Sequence, residues 1–269
     1  MRFIQHKAEA YWFYRVVSLG YDRWINPLFW TEAMRDRALA LAALDAPGLD
    51  VVDVGAGTGF TTEGIVRAVA PGRVTMVDQS PHQLARAEAK PGLAACAKRL
   101  GDAEALPLPT DAVDRYVSAG SIEYWPDPQR AIAEAYRVLR PGGVALVIGP
   151  LRRRHPLARA LSDAWMLFPG EDEYTAWFER AGFTDLRRMH VAPAWWREAW
   201  DPYALALAAV KPAAGRSSLA LPTAAREDVR DRLTPARLGR FALGSLAGAA
   251  FIPVAAWFTL RDRVARALR

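Results

Sequence analysis

The sequence contains few of the residues that form disulfides or bind metal ions. Its 269 residues include a single cysteine, Cys96, so no disulfide can form within the chain. The four histidines, His6, His82, His155 and His190, lack the short spacings that are typical of zinc ligands. We therefore predict neither a disulfide framework nor a metal site.

An excess of positive charge is absent from most of the chain. Residues 211–269 hold 11 of the 35 Lys and Arg residues but only 4 of the 29 Asp and Glu residues. The preceding 210 residues therefore carry 24 basic and 25 acidic side chains, and the net charge of +6 belongs to the end of the chain. Proteins that bind nucleic acid usually cluster basic residues on a folded face. We expect no nucleic-acid partner.

The first 15 residues lack the apolar core of a signal peptide, so we expect no secretory leader. A long uncharged run lies at the other end, the 20 residues of 241–260. As a helix it would reach about 30 Å, the thickness of a bilayer's hydrocarbon core. Arginines flank it on both sides, and Trp257 suits a membrane interface. We predict a single membrane-spanning C-terminal helix, in which the pair Gly244 and Gly248 indicates a homodimer contact.

Apolar, β-branched runs alternate with helical segments between residues 50 and 150. The predicted strands are Val51–Val54, Val74–Asp78, a segment ending near Asp102, Val113–Ser118 and Val144–Pro150. Alternating strands and helices predict a parallel, doubly wound α/β sheet. Ligands of such sheets bind beyond the carboxyl ends of the strands, where the winding direction changes.

Three glycines stand at alternate positions directly after the first strand: Gly55, Gly57 and Gly59. Without a Cβ, they allow a ligand to approach the backbone closely. The spacing GxGxG differs from the GxGxxG that holds a pyrophosphate, and the Asp53 carboxylate favours a cationic ligand instead. About 20 residues on, Asp78 ends the second strand and can accept hydrogen bonds from both ribose hydroxyls of a nucleoside. An NAD-dependent oxidoreductase is therefore disfavoured.

These features, with Asp102 after the third strand and the motif LRPGG before the fifth, resemble the class I S-adenosylmethionine-dependent methyltransferases. The resemblance implies a seven-stranded, mostly parallel Rossmann-like sheet and S-adenosylmethionine as the cofactor. It implies that Asp53 and the glycine loop hold the methionine part, that Asp78 with Gln79 holds the ribose, and that Asp102 with Ala103 holds the adenine. We expect His82 beside the adenine, because it starts the helix after Asp78. The predicted cofactor-binding residues are Asp53, Gly55, Ala56, Gly57, Gly59, Asp78, Gln79, Asp102, Ala103 and Ser118.

Longer segments narrow the resemblance. "RFIQHKAEAYWFYR", "YDRWINPLFWTEAMRD", "DRYVSAGSIEYWPDPQRAIAEAYRVL" and "AWMLFPGEDEYTAWFERAGF" are similar to the plastid methyltransferases that act on 2-methyl-6-phytyl-1,4-benzoquinol in tocopherol and plastoquinone synthesis. The resemblance implies C-methylation of a prenylated benzoquinol that is dissolved in the lipid bilayer. It also implies a C-terminal membrane helix, in a prokaryotic inner membrane or, for a plastid protein, the inner envelope.

Aromatic residues are concentrated at the start of the chain, where nine of the 28 fall in the first 30 residues. We expect residues 1–40 to form a helical lid that closes over the sheet edge and builds a dry slot for the quinol ring. The predicted substrate-binding residues are Tyr14, Tyr21, Tyr124, Trp125 and Trp165. Met166, Phe168, Trp177 and Phe178 either line a slot for the prenyl tail or belong to the core.

Ring methylation is faster when the neighbouring phenol is deprotonated, so we expect a general base. The candidates are His6 on the predicted lid and Glu123 in the loop after the fourth strand. The domain boundaries we predict are a lid at 1–40, a methyltransferase domain at 41–212, a linker or surface helix at 213–240, the anchor at 241–260 and a basic tail at 261–269.

Three alternatives remain open from the sequence. Within the same fold, the chain could be a ubiquinone- or menaquinone-type C-methyltransferase, a sterol C-methyltransferase or an O-methyltransferase. A second alternative is a catalytically silent protein that binds S-adenosylmethionine and assists membrane assembly. The third is the NAD-dependent oxidoreductase, which the glycine spacing disfavours.

Overall fold

The computed structural model describes residues 26–197, 199–221 and 235–267. Three predicted site residues, His6, Tyr14 and Tyr21, lie outside the described residues. The roles predicted for them as base and substrate contacts therefore stay predictions.

Seven strands form one sheet in the described part of the chain. They are β1 (Val51–Val54), β2 (Val74–Asp78), β3 (Ala97–Leu100), β4 (Val113–Ala119), β5 (Leu139–Pro150), β6 (Thr184–Val191) and β7 (Ala204–Val210). Their order is β3-β2-β1-β4-β5-β7-β6. All neighbours are parallel up to β5, whereas β7 is antiparallel to both β5 and β6. The predicted mostly parallel, seven-stranded sheet is confirmed, and its winding direction changes between β1 and β4.

Nine α-helices accompany the sheet within the described ranges. They are α1 (Asn26–Phe29), α2 (Glu32–Leu39), α3 (Phe60–Ile65), α4 (Pro81–Glu88), α5 (Pro128–Val138), α6 (Pro156–Trp165), α7 (Glu171–Ala181), α8 (Pro235–Ala249) and α9 (Ile252–Ala267). Local signals explain where two of them begin. The Ser80 hydroxyl accepts from the Gln83 N–H at the start of α4, and Asp127 caps α5 in the same way, each with a proline at the first helical turn.

Apolar side chains fill a layer on each face of the sheet. All four residues of β1 are buried, as expected for a central parallel strand covered on both sides. The helix α2 falls in the region predicted to be a lid, yet its Met34, Ala38 and Leu39 belong to one of these layers. Among the described residues of that region, 26–40, Phe29 and Trp30 reach the cavity discussed below.

The C-terminal apolar run differs from the single helix predicted at 241–260. It begins within α8, which starts earlier at Pro235, and it continues in α9, with a turn at Ala250 and Phe251 between the two helices. Pro253 explains the break, because it has no N–H and its ring clashes with the carbonyl of Ala249 in a regular helix. By length and composition Ala242–Asp262 could cross a membrane, and 22% of its apolar window is buried against the rest of the chain.

Candidate functional site

A cavity of about 310 Å³ opens at the carboxyl ends of the parallel strands, beside the point where the winding direction changes. The loops that follow β1, β2, β3 and β4 form one part of its wall. Aromatic residues from α6 and from the segment between β6 and β7 form another part. Backbone groups of the loops therefore line one side of the cavity, and aromatic side chains line the other.

The glycine loop after β1 borders this cavity. Gly55 has φ +70°, and a Cβ there would meet the Ser121 hydroxyl at 2.1 Å, so only glycine allows the loops after β1 and β4 to approach this closely. Gly57 has φ +55°, and the position of its missing Cβ faces open space. Gly59 lies away from the cavity, against Leu93. The alternate spacing thus serves packing at both ends of the loop and leaves ligand space at its centre.

Asp78 ties the glycine loop to the end of β2. One carboxylate oxygen accepts from the Gly57 N–H and the other from the Ser80 N–H, each at 2.8 Å. Burial raises the pKa of this carboxyl, although the backbone N–H groups of Ser80, Gly57 and Gln79 oppose that shift. A carboxylate offers about four acceptor sites, so Asp78 can still accept hydrogen bonds from a ligand in the cavity that it borders.

Asp53 and Ser118 were predicted to touch the cofactor, but neither lines the cavity. Asp53 lies one layer below, where its Oδ2 accepts from the Thr62 hydroxyl at 2.6 Å. Its Oδ1 is buried and has no hydrogen-bond partner within the described residues. Burial raises the pKa of Asp53 to about 7, and the nearby Asp78 carboxyl adds to that shift. Two buried carboxyls so arranged favour a cation at this end of the cavity.

The remaining predicted cofactor residues lie in the cavity wall. Ala56, Gln79, Asp102 and Ala103 all border it. Asp102 accepts from the Glu104 N–H through Oδ1 at 2.9 Å, so its loop after β3 holds a fixed shape. His82, expected near the adenine, instead has an exposed side chain outside the wall. The next residue of α4, Gln83, is buried and takes that place, because a helical turn points neighbouring side chains in different directions.

Glu123 follows β4 and belongs to the cavity wall. Its side chain is 9% exposed, and within the described residues its Oε2 has no hydrogen-bond partner. Burial raises the pKa of this carboxyl to about 7. A carboxyl of this kind can take up and release a proton near neutral pH, as a general base requires.

Tyr124, Trp125 and Trp165 all line the cavity, where they were predicted. The indole N–H of Trp125 donates to the Ser121 hydroxyl at 3.0 Å, which fixes the ring in place. Trp165, at the end of α6, stacks on Phe251 of the C-terminal segment with ring centroids 6.3 Å apart.

Four side chains were predicted to line the tail slot or to belong to the core, and the structure places two in each. Met166 and Phe168 line the cavity. Phe178 is fully buried in the core, and Trp177 packs against the same apolar layer. The difference follows from position along the chain. Trp177 and Phe178 belong to α7, which packs on the sheet, whereas Met166 and Phe168 belong to the segment before α7, which borders the cavity.

The sequence analysis missed Arg153 and the aromatic residues around it. The Arg153 guanidinium is buried, donates to the carbonyls of Pro202 and Tyr203, and lies over the rings of Trp196 and Tyr203 at 4.8 and 5.2 Å. Burial lowers its pKa. With Trp195 and Trp196 it forms part of the cavity wall. The sequence shows the adjacent Trp195 and Trp196, but it does not show that their segment folds back over the end of the sheet.

Comparisons with known proteins identify the family of the chain. A family model for a methyltransferase domain matches residues 52–147, which include the four loops that follow β1, β2, β3 and β4. The chain is 53% identical over 268 residues to the chloroplastic 2-methyl-6-phytyl-1,4-hydroquinone methyltransferase of Arabidopsis thaliana, a match that covers 98% of this chain and 79% of that protein.

Solved structures show the same fold at lower sequence identity. The [4+2]-cyclase SpnF superimposes with a TM-score of 0.61 at 20% identity, covering 77% of this chain and 97% of that one. Phosphoethanolamine N-methyltransferase 2 of Haemonchus contortus, in complex with S-adenosyl-L-methionine, gives 0.54 at 18% identity, covering 66% of this chain and 53% of that one. At these sequence identities, the two structures show a shared fold and nothing further.

Proposed function

Because this chain belongs to the family of 2-methyl-6-phytyl-1,4-hydroquinone methyltransferases, we propose that it methylates a ring carbon of a prenylated benzoquinol. It is an S-adenosylmethionine-dependent methyltransferase. The single observation that carries the substrate assignment is Glu123, a buried carboxyl with an unpartnered oxygen. It stands in the wall of a cavity that also holds the glycine loop and an aromatic slot. We assign the product to tocopherol or plastoquinone synthesis.

The residues at the polar side of the cavity fit S-adenosylmethionine. The open space at the missing Cβ of Gly57 admits a ligand against the backbone, and the free lone pairs of Asp78 suit two ribose hydroxyls. The buried carboxyls of Asp53 and Asp78 favour the positive charge of a sulfonium and an ammonium. When bound, S-adenosylmethionine supplies an electrophilic methyl group.

Glu123 acts on the quinol. In its ionised form the carboxylate accepts the proton of a quinol hydroxyl, which raises the electron density at the neighbouring ring carbon, the atom that takes up the methyl group. The aryl proton then leaves that carbon for water, which restores the aromatic ring, and Glu123 returns the hydroxyl proton to the ring oxygen. The unpartnered Oε2 is buried within the cavity wall, so a small turn of the Glu123 side chain toward the cavity would bring it to the hydroxyl.

The aromatic side of the cavity supplies the slot for the ring. Tyr124 and Trp125 come from the same loop as Glu123, while Trp165 approaches from α6. Flat, apolar walls exclude water around the ring and hold it against the reacting groups. The cavity wall continues to Met166 and Phe168, which suit the start of a prenyl tail.

A membrane-dissolved substrate explains the apolar C-terminal helices. We assign the protein to a membrane surface, a plastid envelope or a prokaryotic inner membrane, where tethering raises the effective concentration of the quinol. The chloroplastic names of its relatives and the apolar segment Ala242–Asp262 support this location. A homodimer through Gly244 and Gly248 stays a prediction; in this structure Gly248 contacts Trp165 of its own chain.

Membranes that contain the full chain, labelled S-adenosylmethionine and a panel of prenylated quinols test this function. We expect transfer of label to a ring carbon of 2-methyl-6-phytyl- or 2-methyl-6-solanesyl-benzoquinol. Label on oxygen would identify an O-methyltransferase. A preference for ubiquinone or menaquinone precursors or for sterols would move the protein to another C-methyltransferase class. Binding of S-adenosylmethionine without turnover on any quinol would indicate a silent assembly factor.

A further inference from the structure

The C-terminal helices contact the methyltransferase domain near the start of their apolar segment. Gly248 lies against the indole of Trp165, where a Cβ would come within 2.6 Å of the ring. Three residues on, Phe251 stacks on the same indole. The small residues Gly244 and Ala247 are buried on the same face of α8. This end of the segment is therefore packed on α6.

The far end of the segment contacts the same domain. The Arg197 guanidinium, in the loop between β6 and β7, donates to Asp262 at 2.7 Å and lies 5.2 Å over the ring of Phe258. Phe258 also meets Trp200 edge to face, with centroids 5.1 Å apart. Gly248 in α8 and Asp262 in α9 stand on either side of the turn between the two helices, and both contact the methyltransferase domain.

The opposite face of these helices is apolar and exposed. Within each helix its large side chains recur every three or four residues, the spacing of one helix face. They are Leu243, Leu246, Val254, Trp257, Leu260 and Val264, with exposed fractions from 46% to 69%. We call this row the apolar stripe. Arginines stand before and after it in the sequence, which suits anionic lipid headgroups at both ends.

We propose that α8 and α9 lie in the plane of the membrane surface, with the apolar stripe in the acyl chains of one leaflet, and do not span the bilayer. A spanning helix carries its two ends to opposite sides of about 30 Å of hydrocarbon, so one domain cannot hold both ends. Spanning would separate Arg197 from Asp262 and Trp200 from Phe258. The in-plane position keeps every one of these contacts. This inference deepens the proposed function and rests on it for the quinol.

The same arrangement places the cavity at the membrane. Phe251, at the turn between α8 and α9, is part of the cavity wall and also part of the segment that we place in the leaflet. A quinol could therefore insert its ring into the cavity while its prenyl tail passes Phe251 and Trp165 and stays among the lipid chains. The substrate would not have to leave the bilayer.

Thiol labelling of the full chain in host membranes tests the orientation. The single native cysteine, Cys96, is buried, so the wild type provides the unlabelled baseline. One variant, Thr110→Cys, places a thiol at an exposed position before β4, at the sheet edge opposite the cavity. The second variant carries a cysteine added after Arg269. Both are treated with a membrane-impermeant maleimide in right-side-out and in inverted vesicles.

We expect both thiols to react in the same vesicle orientation and to be protected in the other. Reaction in opposite orientations would mean that the segment spans the bilayer and would overturn the proposal. So would a tail thiol that reacts in neither orientation before detergent is added, because an in-plane helix leaves the basic tail in water. The labelling needs no methyl transfer, so it can fail or succeed independently of the quinol assignment.

A second experiment tests the apolar stripe itself. Leu246→Glu places a charge on the stripe, and Leu100→Glu is the matched control, a similarly exposed leucine on β3. Both side chains are exposed, so circular dichroism should be unchanged. We expect Leu246→Glu to lower the fraction that sediments with vesicles of phosphatidylcholine and phosphatidylglycerol at least fivefold, with Leu100→Glu like the wild type. Equal sedimentation of both variants would remove the stripe from the membrane contact.

Discussion

At the scale of single residues, two carboxyls in the cavity wall have different surroundings, and we expect them to perform different tasks. The N–H groups of Gly57 and Ser80 donate to the Asp78 carboxylate and hold it in an orientation from which it can accept from a ligand. Glu123 has no such donor at Oε2, and burial alone dominates its proton affinity. These different environments support the proposed division into cofactor binding by Asp78 and proton transfer by Glu123.

Replacement of Glu123 by Gln should lower turnover about 100-fold or more, since positioned bases contribute that much. The affinity for S-adenosylmethionine, measured by calorimetry, should change less than about threefold. The wild-type rate should rise with pH through about 7, because the base works in its ionised form and its pKa is about 7. Glu123→Gln should lose this rise. A variant with wild-type kinetics would exclude Glu123 from catalysis.

The same substitution should also change the stability of the fold in a way that depends on pH. Burial raises the pKa of Glu123 from its ordinary 4.5 to about 7, so the folded protein binds this proton more tightly than the unfolded chain. The stabilisation is complete below about pH 4.5 and is lost as the pH rises through 7, on the order of 3 kcal/mol. Glu123→Gln should therefore raise the melting temperature at pH 8 and leave it nearly unchanged at pH 4.5.

Asp78→Ala should weaken binding of S-adenosylmethionine by about 100-fold or more, because each hydrogen bond to a charged group contributes roughly 1.5–3 kcal/mol and two are lost. Far-UV circular dichroism should show an intact fold. Asp78→Asn provides the control, since it keeps one acceptor oxygen, and we expect an intermediate loss in calorimetry. Unchanged affinity in Asp78→Ala would remove this residue from the cofactor site.

At the scale of elements, the contact between α6 and α8 depends on a glycine. Gly248→Ala would place a methyl group 2.6 Å from the Trp165 ring, and such overpacking costs about 1–3 kcal/mol. Gly239→Ala is the matched change in the same helix, at an exposed position where a Cβ would have no atom within 4 Å. Because alanine has the better helix propensity, this variant should stabilise α8 by about 0.5–1 kcal/mol. Hydrogen exchange of the α8 amides should therefore change in opposite directions.

If both variants slowed exchange in α8, the helix would not be held against Trp165. The contact between α6 and α8 should also affect function, because Phe251 reaches the cavity only while α8 stays packed on α6. Gly248→Ala should accordingly raise the KM for a prenylated quinol and leave the KM for S-adenosylmethionine unchanged.

At the scale of the whole molecule, the catalytic domain and its membrane segment share one wall of the cavity. Removal of residues 241–269 should release the protein from membranes. It should also raise the KM for a prenylated quinol about tenfold or more, even in detergent, because Phe251 and the cover over Trp165 are lost. Full-length Phe251→Ala separates the two effects: it should stay on membranes and still show the raised KM.

Continued sedimentation of the truncated protein with membranes would contradict the anchor. A truncated enzyme with wild-type KM in detergent would restrict the segment to tethering. Either result leaves the cofactor site intact, because Phe251, at the turn between α8 and α9, is the one described residue after Pro235 that lines the cavity.

The sequence by itself determined the sheet and the cofactor loops. β-Branched runs, helix caps such as Ser80 and Asp127, and the glycines after β1 act through neighbours a few residues away, so their pattern can be read along the chain. The carboxyl ends of parallel strands meet at one edge, which is why Asp78 and Asp102 could be assigned to one site before their positions were seen.

Only the tertiary structure decided which of these side chains reach the cavity and what surrounds them. Asp53 is one layer below its predicted place, and Arg153 enters the wall from a loop with no ligand-binding motif. The course of the C-terminal helices depends on Arg197 and Asp262, 65 residues apart in the chain. Contacts at such separations depend on how whole elements pack, and a local pattern of residues does not encode them.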